Sequence, residues 1–216
     1  MAEPRCTLPS IIELVNNPRL PWALECVFRT FNALVAIDPT QSWRSILCEA
    51  AKIISDFLGA EAASIRLHEP HLNQMVSFGS YHLDEDDREN AIPLEDSIAG
   101  RVASTGRSQL VSDIATSFDY QNKAILEKGL RSMLAVPLFI PRFSEGGEDI
   151  RGALQVYYGN APRRFAPVEV LTAELMAQRV SYVIARKSII DMRRVKDKKE
   201  WLVEKIFSKI SVDKSI

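Results

Sequence analysis

The sequence predicts one α+β domain, built on a central antiparallel sheet with a helical bundle on one face and short helices and loops on the other. Three observations predict this class. Apolar residues recur at helical spacing over 22–58 and then alternate over 62–83, which indicates helices followed by strands. Two longer alternating segments, 131–140 and 150–158, are joined by a short polar loop, as in a hairpin. No glycine or proline follows Pro167, so the chain ends in a long predicted helix.

Two amphipathic helices are predicted before the sheet. The first covers 22–37 and is stopped by the Asp-Pro pair at 38–39. The second begins after Ser42, a typical N-cap, and ends at Gly59, a typical C-cap. Because these helices and the C-terminal helix must bury their apolar sides, we expect all three on the same face of the sheet.

The first strands are predicted from alternation and turn residues. Residues 62–69 and 75–83 flank the turn "PHLN" and form a predicted hairpin, followed by a solvated acidic loop over 84–90. A short strand is predicted at 108–114 and a short helix at 122–130. Neighbouring strands joined by short connections favour antiparallel pairing.

The segment "DSIAGRVASTGRSQLVSDI" at 96–114 is rich in small residues. Asp96 or Ser97 can cap a short helix, which the Ser-Thr-Gly run ending at Gly106 would terminate. No strand leads into the segment and it lacks the GxxxxGK pattern, so it does not indicate a phosphate-binding loop. We expect a short lid helix instead.

Composition excludes several function classes. The chain has 27 basic and 28 acidic residues, and a net charge of −1 gives no general attraction to nucleic acid or anionic lipid. No apolar run approaches the ~20 residues of a bilayer-spanning helix, and the N-terminus does not resemble a signal peptide. The three cysteines form no CxxC pair. These features predict a cytoplasmic protein with no nucleic-acid or membrane partner.

Four segments, in order, resemble those of a GAF domain, the small-molecule-sensing relative of the PAS fold. They are "LGAEAASIRLHE", "SIAGRVASTGRSQLVSDI", "GLRSMLAVPLFI" and "RFAPVEVLTAELMAQRVSYVIA", and they extend from residue 58 to residue 185. The resemblance implies a sensory or regulatory module of signalling proteins. It also implies a ligand cavity between the sheet and the short middle helices.

The resemblance gives the expected division of the chain. Residues 1–18 are an irregular N-terminal segment, 19–39 an N-terminal helix, 40–187 the GAF domain, and 188–216 a helical linker or coiled-coil extension.

The ligand-binding residues are expected from strand alternation and from the position of the lid segment. Alternation places Arg66, Met133, Gln155 and Tyr157 on the cavity face, with Arg131 beside them. The full expected set is Arg66, Ser97, Arg101, Asp113, Tyr120, Arg131, Met133, Gln155 and Tyr157. Two arginines with an amide and a phenol suit a polar or anionic ligand. In the alternative, these groups satisfy one another and no ligand binds. The sequence identifies neither the ligand nor a cofactor.

Specialised GAF activities need residues that this chain lacks. Bilin attachment and methionine-sulfoxide reduction both require cysteines near the cavity, whereas Cys6, Cys26 and Cys48 all precede the first strand. We therefore expect no enzymatic activity. Cyclic-nucleotide GAF domains carry an N-K…F…D-E signature, of which Asn160, Phe165 and Glu169 remain without the lysine, so this ligand stays open as a less favoured alternative.

Histidines near the first hairpin do not form a convincing metal site. His68 and His71 flank its turn and His82 follows, near acidic residues, but exposed polar residues in a turn are the simpler interpretation. No metal is expected.

The C-terminal helix continues beyond the domain with an apolar stripe. Its members lie mostly three or four residues apart: Ile189, Met192, Val195, Leu202, Ile206 and Ile210. Such a stripe needs a partner, so we expect a homodimer through the N- and C-terminal helices, which would pass a ligand signal to an output region or partner. The alternative is a non-catalytic dimerisation or protein-interaction module with no ligand.

Overall fold

The chain folds around a six-stranded antiparallel sheet. The computed structural model describes residues 20–69, 71–83, 91–117, 123–140, 150–159 and 161–212, and gives the backbone alone at 20–23, 123–124 and 197–212. The expectations for the N-terminal segment, the acidic loop 84–90, Tyr120 and Asn160 lie outside these residues.

The strand order is β3-β2-β1-β6-β5-β4, and every described pair is antiparallel. The strands are β1 (Ala62–Glu69), β2 (Gln74–Tyr81), β3 (Ile92–Pro93), β4 (Gln109–Val111), β5 (Leu130–Ile140) and β6 (Ile150–Gly159). This confirms the predicted fold class. The two-residue strand β3 was not predicted, because it is too short to show alternation.

Five helices accompany the sheet in the described part of the chain. They are α1 (Leu20–Ala36), α2 (Trp43–Leu58), α3 (Ile98–Thr105), α4 (Lys123–Glu127) and α5 (Pro167–Val212). None of these helices combines the length and apolar character needed to cross a bilayer.

The caps lie where the residue types predict them. Ser42 accepts a hydrogen bond from the Ser45 N–H at 3.1 Å, and Gly59 ends α2 with φ at 62°. Ser97 caps α3 in the same way, and Gly106 ends it with φ at 65°. These φ values lie in the left-handed region, where glycine avoids the penalty of a Cβ atom.

Two separate cores flank the sheet. The bundle-side core packs α1, α2 and α5 against one face, and its buried strand residues include Ile65, Leu134, Val136, Leu154 and Val156. The α3-side core packs α3 and α4 against the other face, and its buried strand residues include Met75, Met133, Ala135, Ala153 and Tyr157. The alternation predicted for β5 and β6 is confirmed from Met133 and Ala153 onward.

A β-bulge interrupts this alternation at the start of β5. Sequence spacing placed Arg131 on the cavity face together with Met133. The register shifts between Leu130 and Ser132, and Leu130 joins the α3-side core instead. The Arg131 side chain is 38% exposed at the rim of the sheet.

Arg186 joins α1 to α5. Its guanidinium donates to the carbonyl oxygens of Val35 at 2.7 Å and Ile37 at 2.9 Å, at the C-terminal end of α1. Carbonyls at a helix end have no partner within the helix, and an arginine there also complements the helix dipole. The end of α1 is thereby fixed to the middle of α5.

Gly100 lets α3 approach the preceding chain closely. A Cβ atom at this position would lie 1.8 Å from the carbonyl oxygen of Leu94. On the sheet side, α3 meets Ala135 and Ala153, which are also small and fully buried. The small residues of the lid segment therefore serve close packing.

We expect Gly100→Ala to destabilise the protein by about 3 kcal/mol in urea unfolding, because the new methyl group must displace the backbone at Leu94. Helix propensity alone would favour alanine by about 1 kcal/mol, so a net loss measures the clash. Ser104→Ala, at an exposed position of the same helix, is the control and should change stability by less than about 0.5 kcal/mol. Equal effects of the two variants would contradict the close contact.

Candidate functional site

A row of polar side chains crosses the α3-side face of the sheet. Ser80 of β2 pairs with Ser64 of β1, and Ser64 pairs with Gln155 of β6, so the three side chains are neighbours on one face. All three are buried, with exposures of 4%, 1% and 1%. Apolar residues of the α3-side core surround them.

This polar row is poorly satisfied by hydrogen bonds. Ser64 Oγ lies 3.5 Å from Gln155 Oε1, and the Gln155 amide nitrogen donates to the sulfur of Met133 at 3.3 Å. Ser80 Oγ has no hydrogen-bond partner among the described residues. A buried polar group without a good partner costs about 1–3 kcal/mol, and native proteins seldom keep one without a reason.

Two larger expected ligand residues flank the row. Arg66 pairs with Ala153 and so lies on the same face, where its guanidinium donates to the Met75 carbonyl oxygen at 3.4 Å. Tyr157 lies in the α3-side core, paired with Met133. Arg66, Met133, Gln155 and Tyr157 are thus brought together, as strand alternation predicted.

Asp113 and Arg131 form an ion pair at the rim. Arg131 donates to Asp113 Oδ1 from Nε at 3.3 Å and from a terminal nitrogen at 3.2 Å. Partial desolvation would raise the pKa of Asp113, but hydrogen bonds from Ala115 N–H and the Thr116 hydroxyl, with the Arg131 charge, hold that pKa below its ordinary value. These two expected ligand residues satisfy each other.

Of the two expected ligand residues in the lid segment, Ser97 has a structural role. The Ser97 hydroxyl donates to the Pro93 carbonyl at 2.6 Å and accepts from the Gly100 N–H at 3.0 Å, which uses its single proton. Arg101 follows within α3 and is partly exposed. Of Ser97 and Arg101, only Ser97 is buried.

The beginning of α5 is joined to the sheet by a network that the sequence did not indicate. Ser132 is fully buried, and its hydroxyl lies 2.8 Å from the Ser112 carbonyl and accepts from Arg163 N–H at 3.0 Å. The Arg163 guanidinium lies 4.1 Å from the ring centroid of Tyr158 and pairs with Glu169. Burial raises the pKa of Tyr158 to about 12, although the Arg163 charge opposes this.

Glu169 caps the start of α5. Its carboxylate accepts from the Ala166 N–H at 2.8 Å, which caps the first turn of α5. The nearby Phe165 ring lies 5.6 Å from that of Tyr158. The Phe165 and Glu169 fragment of the cyclic-nucleotide signature therefore serves packing and capping here.

A second contact joins the end of α3 to α5. The Ser108 hydroxyl, two residues beyond Gly106, donates to Glu174 Oε1 at 2.5 Å. The connection between α3 and β4 is therefore hydrogen-bonded to the C-terminal helix.

The three histidines lie in and beside the first hairpin, in the described part of the chain. Among the residues that the structure describes, no three His, Cys, Asp or Glu side chains lie close enough to bind one metal ion. His82 stacks on Tyr81 at 3.8 Å, and its Nδ1 lies 3.0 Å from the Glu61 carbonyl oxygen.

Ser80 is the member of the polar row that sequence reasoning missed. The bulge in β2 pairs Ile65 with Gly79 and Arg66 with Ser77, leaving Phe78 as an extra residue. Counting alternate residues along β2 therefore fails across Phe78. Only the register with β1 reveals which face Ser80 occupies.

Solved structures with this fold belong to regulatory and catalytic proteins. The GAF domain of an Acinetobacter phosphoenolpyruvate-protein phosphotransferase has a TM-score of 0.62 and 16% identity, covering 79% of this chain and 97% of that one. A domain of a putative two-component sensor histidine kinase from Sinorhizobium meliloti has a TM-score of 0.51 and 21% identity, covering 67% and 92%.

An enzyme also shares the fold. Free methionine-R-sulfoxide reductase from Neisseria meningitidis, solved with its substrate, has a TM-score of 0.60 and 17% identity, covering 80% of this chain and 95% of that one. These identities are low, so the likenesses establish the fold alone. No curated protein matches the chain.

The amino-acid sequence also matches a protein family. The pattern of the GAF domain matches residues 40–185, which is more than half of the chain. This range includes the sheet, the polar row and the domain part of α5. Sequence pattern and fold agree, and the chain belongs to the GAF domain family.

Proposed function

We propose that this GAF domain, of the sensory and regulatory type, binds a small neutral polar molecule against the polar row beneath α3. The observation that carries the proposal is the buried Ser80 hydroxyl, which has no partner among the described residues, next to a Gln155 amide whose described acceptor is the Met133 sulfur atom. A ligand with a hydrogen-bonding edge would satisfy both groups. An amide or a hydroxylated ring has that chemistry.

The contacts of the two arginines favour a neutral ligand over an anion. A polar or anionic ligand was expected because Arg66 and Arg131 were both assigned to the cavity together with Gln155 and Tyr157. Arg131 is paired with Asp113, and Arg66 donates to the Met75 carbonyl. An anion would have to displace these partners, whereas a neutral ligand would not.

Transmission to α5 is supported by the contacts at both ends of the lid. Ser97 fixes the start of α3 to Pro93, and Ser108 fixes the segment after it to Glu174 of α5. A ligand that shifts α3 relative to the sheet would therefore strain or release the Ser108–Glu174 bond. Such a ligand biases the position of α5 only if its affinity differs between the arrangement with the Ser108–Glu174 bond and the arrangement without it.

A homodimer is supported by a second apolar side of α5. The side packed on the domain contains Ala173, Met176, Val180 and Ile184, all fully buried. The opposite side exposes apolar residues at heptad spacing: Val168, Leu171, Leu175, Tyr182 and Met192. Helix α1 exposes Leu24, Phe28 and Val35, and Arg186 holds its end against α5. The partner that fits a heptad stripe is the same helix of a second copy.

The proposed protein is regulatory, has no catalytic activity and is located in the cytoplasm. Cys26 lies on α1 and Cys48 on α2, on the bundle side of the sheet rather than beside the polar row. Thiol chemistry of the sulfoxide-reductase kind would need a cysteine on the α3 side.

The second candidate function is an interaction module without a ligand. The exposed stripe of α5 and the mutual pairing of Asp113 with Arg131 favour it. The two candidates differ in whether the polar row has an occupant.

The polar row is tested with a pair of serine variants. Ser80→Ala should raise the unfolding free energy of the ligand-free protein by about 1 kcal/mol, because it removes a buried hydroxyl without a partner. Ser181→Ala removes an equally unpartnered hydroxyl from α5, at the bundle side, and should have a similar effect. Urea unfolding measures both.

Only one of these variants should impair ligand binding. Neutral polar metabolites are screened by thermal shift, and a compound that stabilises the wild type should stabilise Ser181→Ala equally and Ser80→Ala much less. If no compound stabilises the wild type, or if both variants respond alike, the interaction module is the correct function.

The dimer is tested on the exposed stripe of α5. Light scattering of the full chain should give a dimer, and Tyr182→Glu should weaken it at least ~10-fold, because it places a charge in the apolar seam. Leu72→Glu, an equally exposed apolar position on the β1–β2 turn, is the control and should leave the dimer unchanged. A wild-type monomer at high concentration would refute the dimer.

A further inference from the structure

A half-open cavity of about 360 Å³ lies on the other side of the sheet from the polar row. Its walls are the first two turns of α2 and the bulged part of β2. The lining residues are Trp43, Arg44, Cys48, Val76, Ser77, Phe78 and Gly79. None of these residues belongs to the expected ligand set.

The cavity follows from the backbone geometry of β2. A Cβ atom on Gly79 would lie 2.5 Å from the backbone of Leu47, so α2 touches the strand at this point. The extra residue Phe78 then bends β2 next to the contact. Space remains between the bulged strand and the start of α2.

The cavity walls combine apolar surface with one exposed arginine. Trp43, Val76 and Phe78 supply aromatic and aliphatic surface. Arg44 makes no hydrogen bond or ion pair with any described residue. Ser77 pairs with Arg66, which lies on the α3 side, so its hydroxyl is not part of the cavity wall.

The electrostatics at this place favour an anion. Helix α2 has no acidic residue in its first turn, where the helix dipole is positive, and Arg44 adds a further positive charge. A cation at this end of a helix is unfavourable unless an anion is nearby. The free guanidinium can form two parallel hydrogen bonds with a carboxylate.

We propose that this cavity is a second ligand site, which binds a small aromatic carboxylate. Its ring would lie between Trp43 and Phe78, and its carboxylate would pair with Arg44. A volume of about 360 Å³ holds one or two fused rings. The site is independent of the polar row and of the proposed function.

The cysteines provide a site-specific measurement. Cys48 lines the cavity, whereas Cys26 lies on α1 outside it, and both are free and partly buried. Iodoacetamide alkylation of the full chain is followed peptide by peptide with mass spectrometry. Saturating naphthoate should slow the alkylation of Cys48 at least five-fold and leave the rate at Cys26 unchanged.

The role of charge is tested with a neutral ligand and with matched variants. Naphthamide, which has the same rings without the charge, should protect Cys48 at least ~10-fold more weakly than naphthoate. Arg44→Gln should weaken naphthoate protection ~10-fold as well. Lys52→Gln removes one charge from an exposed position of the same helix and should leave the protection unchanged. Circular dichroism checks that both variants fold.

Three results would overturn the proposal. They are equal protection of Cys26 and Cys48, equal protection by naphthamide and naphthoate, and equal effects of Arg44→Gln and Lys52→Gln. Gln155→Leu alters the polar row on the other face and should leave naphthoate protection intact, so failure of one site does not imply failure of the other.

Discussion

Burial of the central strands on both faces is the constraint on which the rest of the structure depends. Strands β1, β6 and β5 place alternate residues in the bundle-side core and in the α3-side core. Each large apolar side chain buried there contributes about 1.5–3 kcal/mol, whereas a buried polar group without a partner costs about as much. The bundle side is packed with large aliphatic residues. The α3 side carries Ser64, Ser80 and Gln155 side by side on neighbouring strands, whereas buried polar residues of the bundle side such as Ser55 and Ser181 lie on helices.

The C-terminal helix depends on the same constraint and extends it. Only one side of α5 can reach the bundle-side core, and that side holds its fully buried residues. Arg163 N–H, just before the helix, donates to Ser132 of β5, and Arg186 joins the helix to the end of α1, so α5 is attached to the domain at two places. The exposed apolar side then faces a fixed direction. A rigid, oriented stripe is a better surface for a second copy than a freely rotating helix, because less entropy is lost on association.

The sequence predicted the architecture well because periodicity reports burial directly. The helices bounded by Ser42 and Gly59, the lid helix ending at Gly106, and the alternation in β6 all follow from local chemistry. Arg131 was misplaced because one bulge residue reverses the alternation locally, and nothing in the sequence marks a bulge. Ligand-binding roles for Ser97, Asp113 and Arg131 stay predictions. In the structure Ser97 caps α3, as its residue type predicted, and Asp113 pairs with Arg131, which spacing alone does not reveal.

Strand β2 connects the two faces and shows why tertiary contacts were needed to find both proposed sites. It carries Ser80 on the α3 side, and Val76 and Phe78 line the cavity beside α2. At about 3.3 Å per residue, Ser80 and Val76 are separated by roughly 13 Å along the strand, and the bulge lies between them. A ligand that altered the bulge would change both environments at once. Any such coupling must be reciprocal, so each ligand would change the affinity for the other by the same factor.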